Sequence, residues 1–130
     1  MSLLLDTHAL IWWLLEPERL SQLAYDHIKS GEQRLFVSTA SIYEVEYKRK
    51  YDSSLDRSPR NIPESVPLLG FEWLPIEAID AFRAAQFDKD HRDPWGRIIA
   101  AQAWQRELSL ITVDRDLTAA CQRWDVPTLW

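Results

Sequence analysis

Four carboxylates stand where a cation could use them. Asp6 is the one acid inside LLLDTHALIWWLL, between Leu3–Leu5 and an apolar run that resumes at Ala9. Glu44 lies in SIYEV, Asp93 in HRDPWGR and Asp114 in LITVDRDL. Each has a purely structural explanation. An aspartate between a strand and a helix caps orphan backbone N–H groups. S-I-Y-E has the form of a capping box around Ser41. Asp93 before Pro94 suits a cap followed by proline at the first helical position. Asp116 is the most cap-like acid before the last helix. Taken together, Asp6, Glu44, Asp93 and Asp114 suggest more, because converging carboxylates repel unless a cation or shared protons lie among them. Oxygen donors suit hard cations such as Mg²⁺ or Mn²⁺, which keep several waters and borrow phosphate oxygens from a substrate. Such a site activates water at a phosphodiester. Cys and His clusters with zinc spacing are absent from the sequence, as is a GxxxxGK[ST] phosphate loop.

The elements that must position these acids read as an α/β alternation. Leu3–Leu5 is a strand and Thr7–Leu15 a mostly apolar helix that stops near Pro17. A helix from Ser21 to Ser30 ends at Gly31, RLFVS is a second strand, and Ser41–Tyr51 is helical. The polar stretch Asp52–Ile62 reads as a flexible excursion, and a short helix from Pro63 to Leu69 ends at Gly70. Phe71–Ile76 is a strand limited by Pro75, Glu77–Phe87 a helix and Asp88–Asp93 a loop. Pro94–Glu107 is a helix, Leu108–Thr112 a strand, Asp116–Trp124 a helix, and VPTLW a last short strand. Strands alternating with helices imply parallel pairing with helices on both faces, one layer of sheet between two of helix. In open α/β sheets, sites form outside the carboxyl ends of the strands, near a switch in strand order. All four junction acids fall at such places.

Composition narrows the class. The 130 residues fit one domain, 46% hydrophobic, with seven tryptophans to fill a core. No run reaches the ~18 apolar residues of a membrane span, and the start lacks the features of a secretion signal. A single cysteine, Cys121, fits a reducing, cytoplasmic setting and reads as a buried helix residue. The net charge of −5 argues against a general polyanion binder, although Lys48, Arg49 and Lys50 form a local basic run. A carboxylate site for divalent cations is itself acidic until the metal arrives. His8 reads as packed in an apolar helix, His91 and Arg92 as polar loop residues that could touch phosphate, and Arg97 as facing either a site or solvent. The Trp12–Trp13 pair reads as core or dimer surface.

DTHALIWW, SIYEV, HRDPWGRIIAAQA and LITVDRDL, in that order, resemble the PIN-domain ribonucleases, in particular the VapC-type toxins of bacterial toxin–antitoxin pairs. The resemblance runs from Leu3 to Trp130 and leaves only the stretch from Asp52 to Pro67 uninformative. It implies a three-layer α/β/α fold with a mostly parallel central sheet, a Mg²⁺ or Mn²⁺ carboxylate site, and endoribonuclease activity on an RNA substrate. It also implies a homodimer and an inhibitory antitoxin protein. Asp6, Glu44 and Asp114 match the family's acids and are expected to be catalytic and metal-binding, with Asp93 as a further metal ligand. Thr112 matches the threonine that supports that edge, and Asp116 and Arg97 are candidate supporting residues. One departure stands out. The subgroup usually reads HRDP-aromatic-D-R, and here glycine, Gly96, occupies the position of the second aspartate. Gly96 removes an anionic ligand and opens a rival expectation, a degenerate, non-catalytic PIN domain that binds RNA or protein. A metal-dependent phosphatase is disfavoured because Asp6 is followed by Thr7 and His8 rather than by a D-x-D pair.

Overall fold

A computed structural model describes residues 2–130. Its strands are β1 (Ser2–Leu5), β2 (Arg34–Ser38), β3 (Glu72–Leu74), β4 (Ser109–Ile111) and β5 (Thr128–Leu129). They form one parallel sheet in the order β3-β2-β1-β4-β5. The helices are α1 (Thr7–Leu15), α2 (Gln22–Lys29), α3 (Ala40–Arg49), α4 (Ile62–Leu68), α5 (Ala78–Gln86), α6 (Pro94–Arg106) and α7 (Arg115–Arg123).

The apolar triplet Leu3-Leu4-Leu5 explains the central place of β1. A strand covered on both faces must be apolar on both, and successive side chains point to opposite sides. Leu3 and Leu5 enter a core with Ala9 and Leu10 of α1, Ala24 and Ile28 of α2, Val45 of α3 and Val66 of α4. Leu4 enters a second core with Ile99 and Ala103 of α6 and Leu117 and Ala120 of α7. These two cores on either face of the sheet make the expected three layers. The chain runs outward from β1 through β2 to β3, then returns to the other side of β1 as β4. Strand order therefore reverses between β1 and β4, and a crevice opens at their carboxyl ends. Backbone pairing carries on past the strands there: Asp6 N–H donates to the Ile111 carbonyl at 3.0 Å.

Several expectations need revision. Asp52–Ile62 is an organised strap, not a flexible excursion. Ser53–Arg57 forms a 3-10 helix capped by Asp52, and Leu55 and Ile62 are buried. The Arg49 guanidinium donates to the carbonyls of Leu55 at 2.8 Å and Pro59 at 2.9 Å, which supplies the backbone partners that the local sequence lacks. β3 is shorter than Phe71–Ile76, since Pro75 has no N–H to extend the ladder. Gly31 and Gly70 do end α2 and α4, at φ of +71° and +96° where a Cβ would be strained. Trp12 and Trp13 are half-buried against the first core, Trp12 beside Trp130 and Trp13 beside Tyr25. Among the described residues, no helix is long and apolar enough to cross a membrane.

A buried ion pair ties α5 to α6. Asp80, wholly buried, accepts two bonds from Arg106 at 2.8 and 2.9 Å and one from Glu77 N–H at 2.9 Å. Removing one partner strands a buried charge. Arg106→Met should therefore cost about 3 kcal/mol in urea unfolding, and the double variant Asp80→Asn/Arg106→Met should cost less than the single one.

Candidate active site

Asp6 ends β1 and opens α1. Its Oδ1 accepts from Ala9 N–H at 2.7 Å, so the capping role is real. Its Oδ2 accepts from the Thr112 hydroxyl, which lies just past β4, a bond that capping does not require. Thr112 Oγ1 in turn accepts from Asp114 N–H at 3.1 Å. One hydroxyl thus fixes the geometry of Asp6 and Asp114 together, across the crevice between β1 and β4.

Glu44 reaches the same place from α3. The helix begins at Ala40 with Thr39 at its cap, so Ser41 lies inside it and the capping-box form is not realised. Glu44 Oε1 instead accepts from Thr7 Oγ1 at 2.5 Å, and Thr7 Oγ1 lies 2.8 Å from Ser41 Oγ. With its single proton given to Glu44, Thr7 must accept from Ser41. Thr7 and Ser41 were not among the anticipated site residues. A hydroxyl next to a junction acid, and a serine one helical turn before a glutamate, were the available signals.

Asp93 caps α6 through Trp95 N–H at 3.1 Å, leaving Oδ2 without a protein hydrogen bond. Asp114, not Asp116, caps α7: its Oδ1 accepts from the N–H groups of Asp116 and Leu117. The reason is register, because α7 starts at Arg115 and places Asp116 in its first turn. Asp93, Asp114 and Asp116 line one depression with His91 and Arg92. Asp6, Thr7, His8, Glu44, Lys48 and Gly96 line the adjoining one. His8 is exposed at this mouth rather than packed, its ring 5.9 Å from that of Trp12.

Arg97 turns away from both depressions. Its guanidinium donates to the carbonyls of Ala84, Phe87, Asp88 and His91 at 2.5–3.0 Å and clamps the loop before α6. Asp88 holds the other side of that loop, accepting from Arg123 and from Trp124 Nε1 at 2.9 Å. This anchoring presents His91 and Asp93 at the edge of the site. Cys121 is buried beneath, its thiol pushed up to about 12 by burial and by the charges of Asp114 and Asp6, as a packed residue should be.

Electrostatics couples the acids. Burial pushes the Asp6 carboxyl up from 3.8 to about 6, the charges of Asp114 and Glu44 add to that rise, and the Thr112 and Ala9 bonds oppose it. Burial also raises Glu44, with the Asp93 charge adding and the Thr7 bond and Lys48 opposing. These are carboxylates in need of a counter-charge. Gly96, third residue of α6, lies among them. A Cβ there would meet His91 Nε2 at 3.1 Å, Asp93 Oδ2 at 3.2 Å and Leu117 Cδ1 at 3.5 Å. His91 Nε2 is itself buried without a hydrogen-bond partner.

The donor set fits a hard divalent cation in kind. It is all oxygen apart from His91, and Asp93, Asp114 and Glu44 each keep an oxygen free of protein hydrogen bonds. Among the described residues no three acid, imidazole or thiol groups make a ready cage, so a cation here would complete its shell with water.

The comparisons with known proteins agree with this architecture. A chain 28% identical over 121 residues, covering 89% of each chain, is Ribonuclease VapC22 of Mycobacterium tuberculosis. VapBC2 from Rickettsia felis, solved bound to a DNA fragment from their promoter, superposes with a TM-score of 0.71 at 11% identity, over 99% of this chain and 98% of that one. A toxin–antitoxin complex from Klebsiella pneumoniae gives 0.62 at 22% identity, over 91% of each chain. At such identities the two structures speak for the fold alone. The PIN domain family model matches residues 3–122, almost the whole sheet and every candidate acid, and the chain belongs to the PIN domain family.

Proposed function

We propose that the chain is a divalent-metal-dependent endoribonuclease of the toxin type, with Asp6, Glu44 and Asp114 as its catalytic and metal-holding carboxylates and Asp93 at their edge. The observation that carries this reading is the convergence of Asp6 and Asp114, joined through Thr112, at the switch in strand order, with Glu44 brought to the same crevice by Thr7. Capping alone asks for neither of the two long-range bonds, Thr112 to Asp6 and Thr7 to Glu44. The similarity to a ribonuclease supports the substrate class.

A bound Mg²⁺ or Mn²⁺ would supply water activation and charge neutralisation at the scissile phosphodiester. The chain's own residues set the stage. Asp6 presents an oxygen held in place by Thr112; Glu44 presents one held by Thr7; Lys48, one helical turn beyond Glu44, lines the mouth and can attract phosphate. Thr112 orients both Asp6 and Asp114 without touching substrate. Thr112→Val should lower metal affinity and cleavage by about 10–100-fold, the usual cost of losing an outer-shell partner, with the fold retained.

The fold shared with a toxin–antitoxin complex supports a cognate antitoxin as partner, and a basic side chain from it would answer the charge of the acidic crevice. Homodimerisation belongs to the same proposal, as does a cytoplasmic site of action. With Trp12 and Trp13 half-buried, exposed apolar residues available for pairing include Ile79 and Phe82 of α5 and Leu68 and Leu69 at the end of α4. A second reading, a PIN domain that binds RNA or protein without cutting, is favoured by Gly96 alone. Incubating the chain with structured RNAs in Mg²⁺, in Mn²⁺ and in chelator separates the two. Metal-dependent fragments support the nuclease; RNA retention with no fragment in either metal supports the binding module.

A further inference from the structure

An aromatic row along α3 and just past its end is not used by the carboxylate site. Tyr43, Tyr47 and Tyr51 recur every fourth residue and are 55, 48 and 76% exposed. Their rings follow one another at 5.8 Å and 5.4 Å, the first pair nearly parallel at 13°. At the other end Trp95 lies 5.2 Å from Tyr43. Trp95 sits between Asp93 and Gly96 in sequence, and Tyr43 directly precedes Glu44, so the row runs from the rim of the acidic crevice outward along α3. Lys48 and Lys50 flank it, and neither forms an ion pair within 4 Å among the described residues. Lys50 lies instead over the Tyr47 ring.

Exposed rings in a row with unpaired cations beside them match the chemistry of a flexible strand with unpaired bases. Each base offers a face for stacking, and its phosphates match the lysines. An apolar protein surface would cover the rings but bring no anion to Lys48 and Lys50, neither of which is in an ion pair among the described residues. We propose that Trp95, Tyr43, Tyr47 and Tyr51 form a stacking platform that takes up the bases of a flexible RNA strand and leads a phosphodiester into the acidic crevice. This inference rests on the nuclease reading of that crevice for its direction, but its test does not depend on cleavage.

The test is fluorescence anisotropy of a short labelled oligouridylate with the full chain in chelator, beside Tyr43→Ala, Tyr47→Ala and Tyr47→Phe, with circular dichroism on each variant. Each alanine should weaken binding about fivefold or more, and Tyr47→Phe should stay within about twofold of the unchanged chain. An abasic strand of equal length should bind weakly to every variant. If the unchanged chain does not bind the oligouridylate, or if the folded alanine variants bind it as tightly as the unchanged chain, the platform is overturned. Sedimentation is run in parallel: alanine variants that shift from dimer to monomer with RNA affinity unchanged make this face a contact between copies and also overturn it. A chain that loses RNA binding with its tyrosines yet cuts no RNA in Mn²⁺ supports the platform and overturns only the nuclease reading.

Discussion

Asp6→Asn should abolish metal-dependent RNA cleavage and, in the absence of metal, make the fold more stable at neutral pH. The loss should exceed the ~100-fold that an outer-shell substitution costs, because Asn cannot carry the charge that the cation requires. Its side-chain carbonyl can still accept from Ala9 N–H, and the Thr112 hydroxyl can rotate to its new neighbour, so the cap survives. The gain in stability follows from the raised pKa. The folded state holds the Asp6 proton up to about pH 6, whereas an ordinary aspartate releases it near 3.8. Between those values the folded state binds more protons than the unfolded one, so stability falls as pH rises. Below this window ionising Asp6 costs nothing; above it the cost is complete, roughly 3 kcal/mol for a shift of this size. Urea unfolding in chelator should find Asp6→Asn gaining on the unchanged chain from pH 4 to 6 and level thereafter. A variant that loses stability across that range would show that the Asp6 charge is already compensated in the fold. Unchanged cleavage would remove Asp6 from the site.

Gly96→Asp is the second large effect, and its sign is opposite. A carboxylate at the third residue of α6 adds an anionic donor beside Asp93, at the boundary of the two depressions. Its Cβ comes within 3.1 Å of His91 Nε2 and 3.2 Å of Asp93 Oδ2, so both must shift by a few tenths of an ångström. His91 stands to gain by it, since its buried Nε2 lacks a partner and the new carboxylate can accept a hydrogen bond from the ring N–H. Glycine already costs about 1 kcal/mol of helix propensity at such a position, which helps to offset the crowding. Mn²⁺ affinity should rise by about tenfold or more, judged against the 10–100-fold that outer-shell partners are worth, and RNA cleavage should rise with it. The measurement is a paired Mn²⁺ titration and cleavage assay on the two proteins. Equal, robust activity in both would mean that Asp93 or Asp116 already fills the role of the absent acid.

Local sequence carried the elements well and their long-range bonds poorly. Leu3-Leu4-Leu5 had to be buried on both faces, and proline and glycine marked several helix ends, so the α/β alternation was legible. The place of Asp6 and Asp114 followed from it, because parallel strands collect their carboxyl ends at one edge. Asp6 and Asp93 were legible as caps of α1 and α6, but which acid caps α7 was not. Asp114 and Asp116 both suit the start of α7, and only the register set by Thr112 and β4 decides for Asp114. Glu44 looked like half of a capping box until Thr7, far away in sequence, was found bonded to it. The way Arg97 acts and the order of Asp52–Ile62 are hidden from local sequence for the same reason. Their partners are backbone carbonyls and a buried Leu55, which no local pattern announces.

Calorimetric titration of the metal-free chain with Mn²⁺ at neutral pH, beside Asp6→Asn and Asp114→Asn, decides whether these carboxylates hold a cation. The expected result is saturable binding by the unchanged chain that weakens as pH falls below about 6, where Asp6 takes up its proton, and that is lost in both folded variants. Mn²⁺ binding of equal strength in all three proteins, or none in the unchanged chain, would contradict the assignment of Asp6 and Asp114 as metal-holding residues.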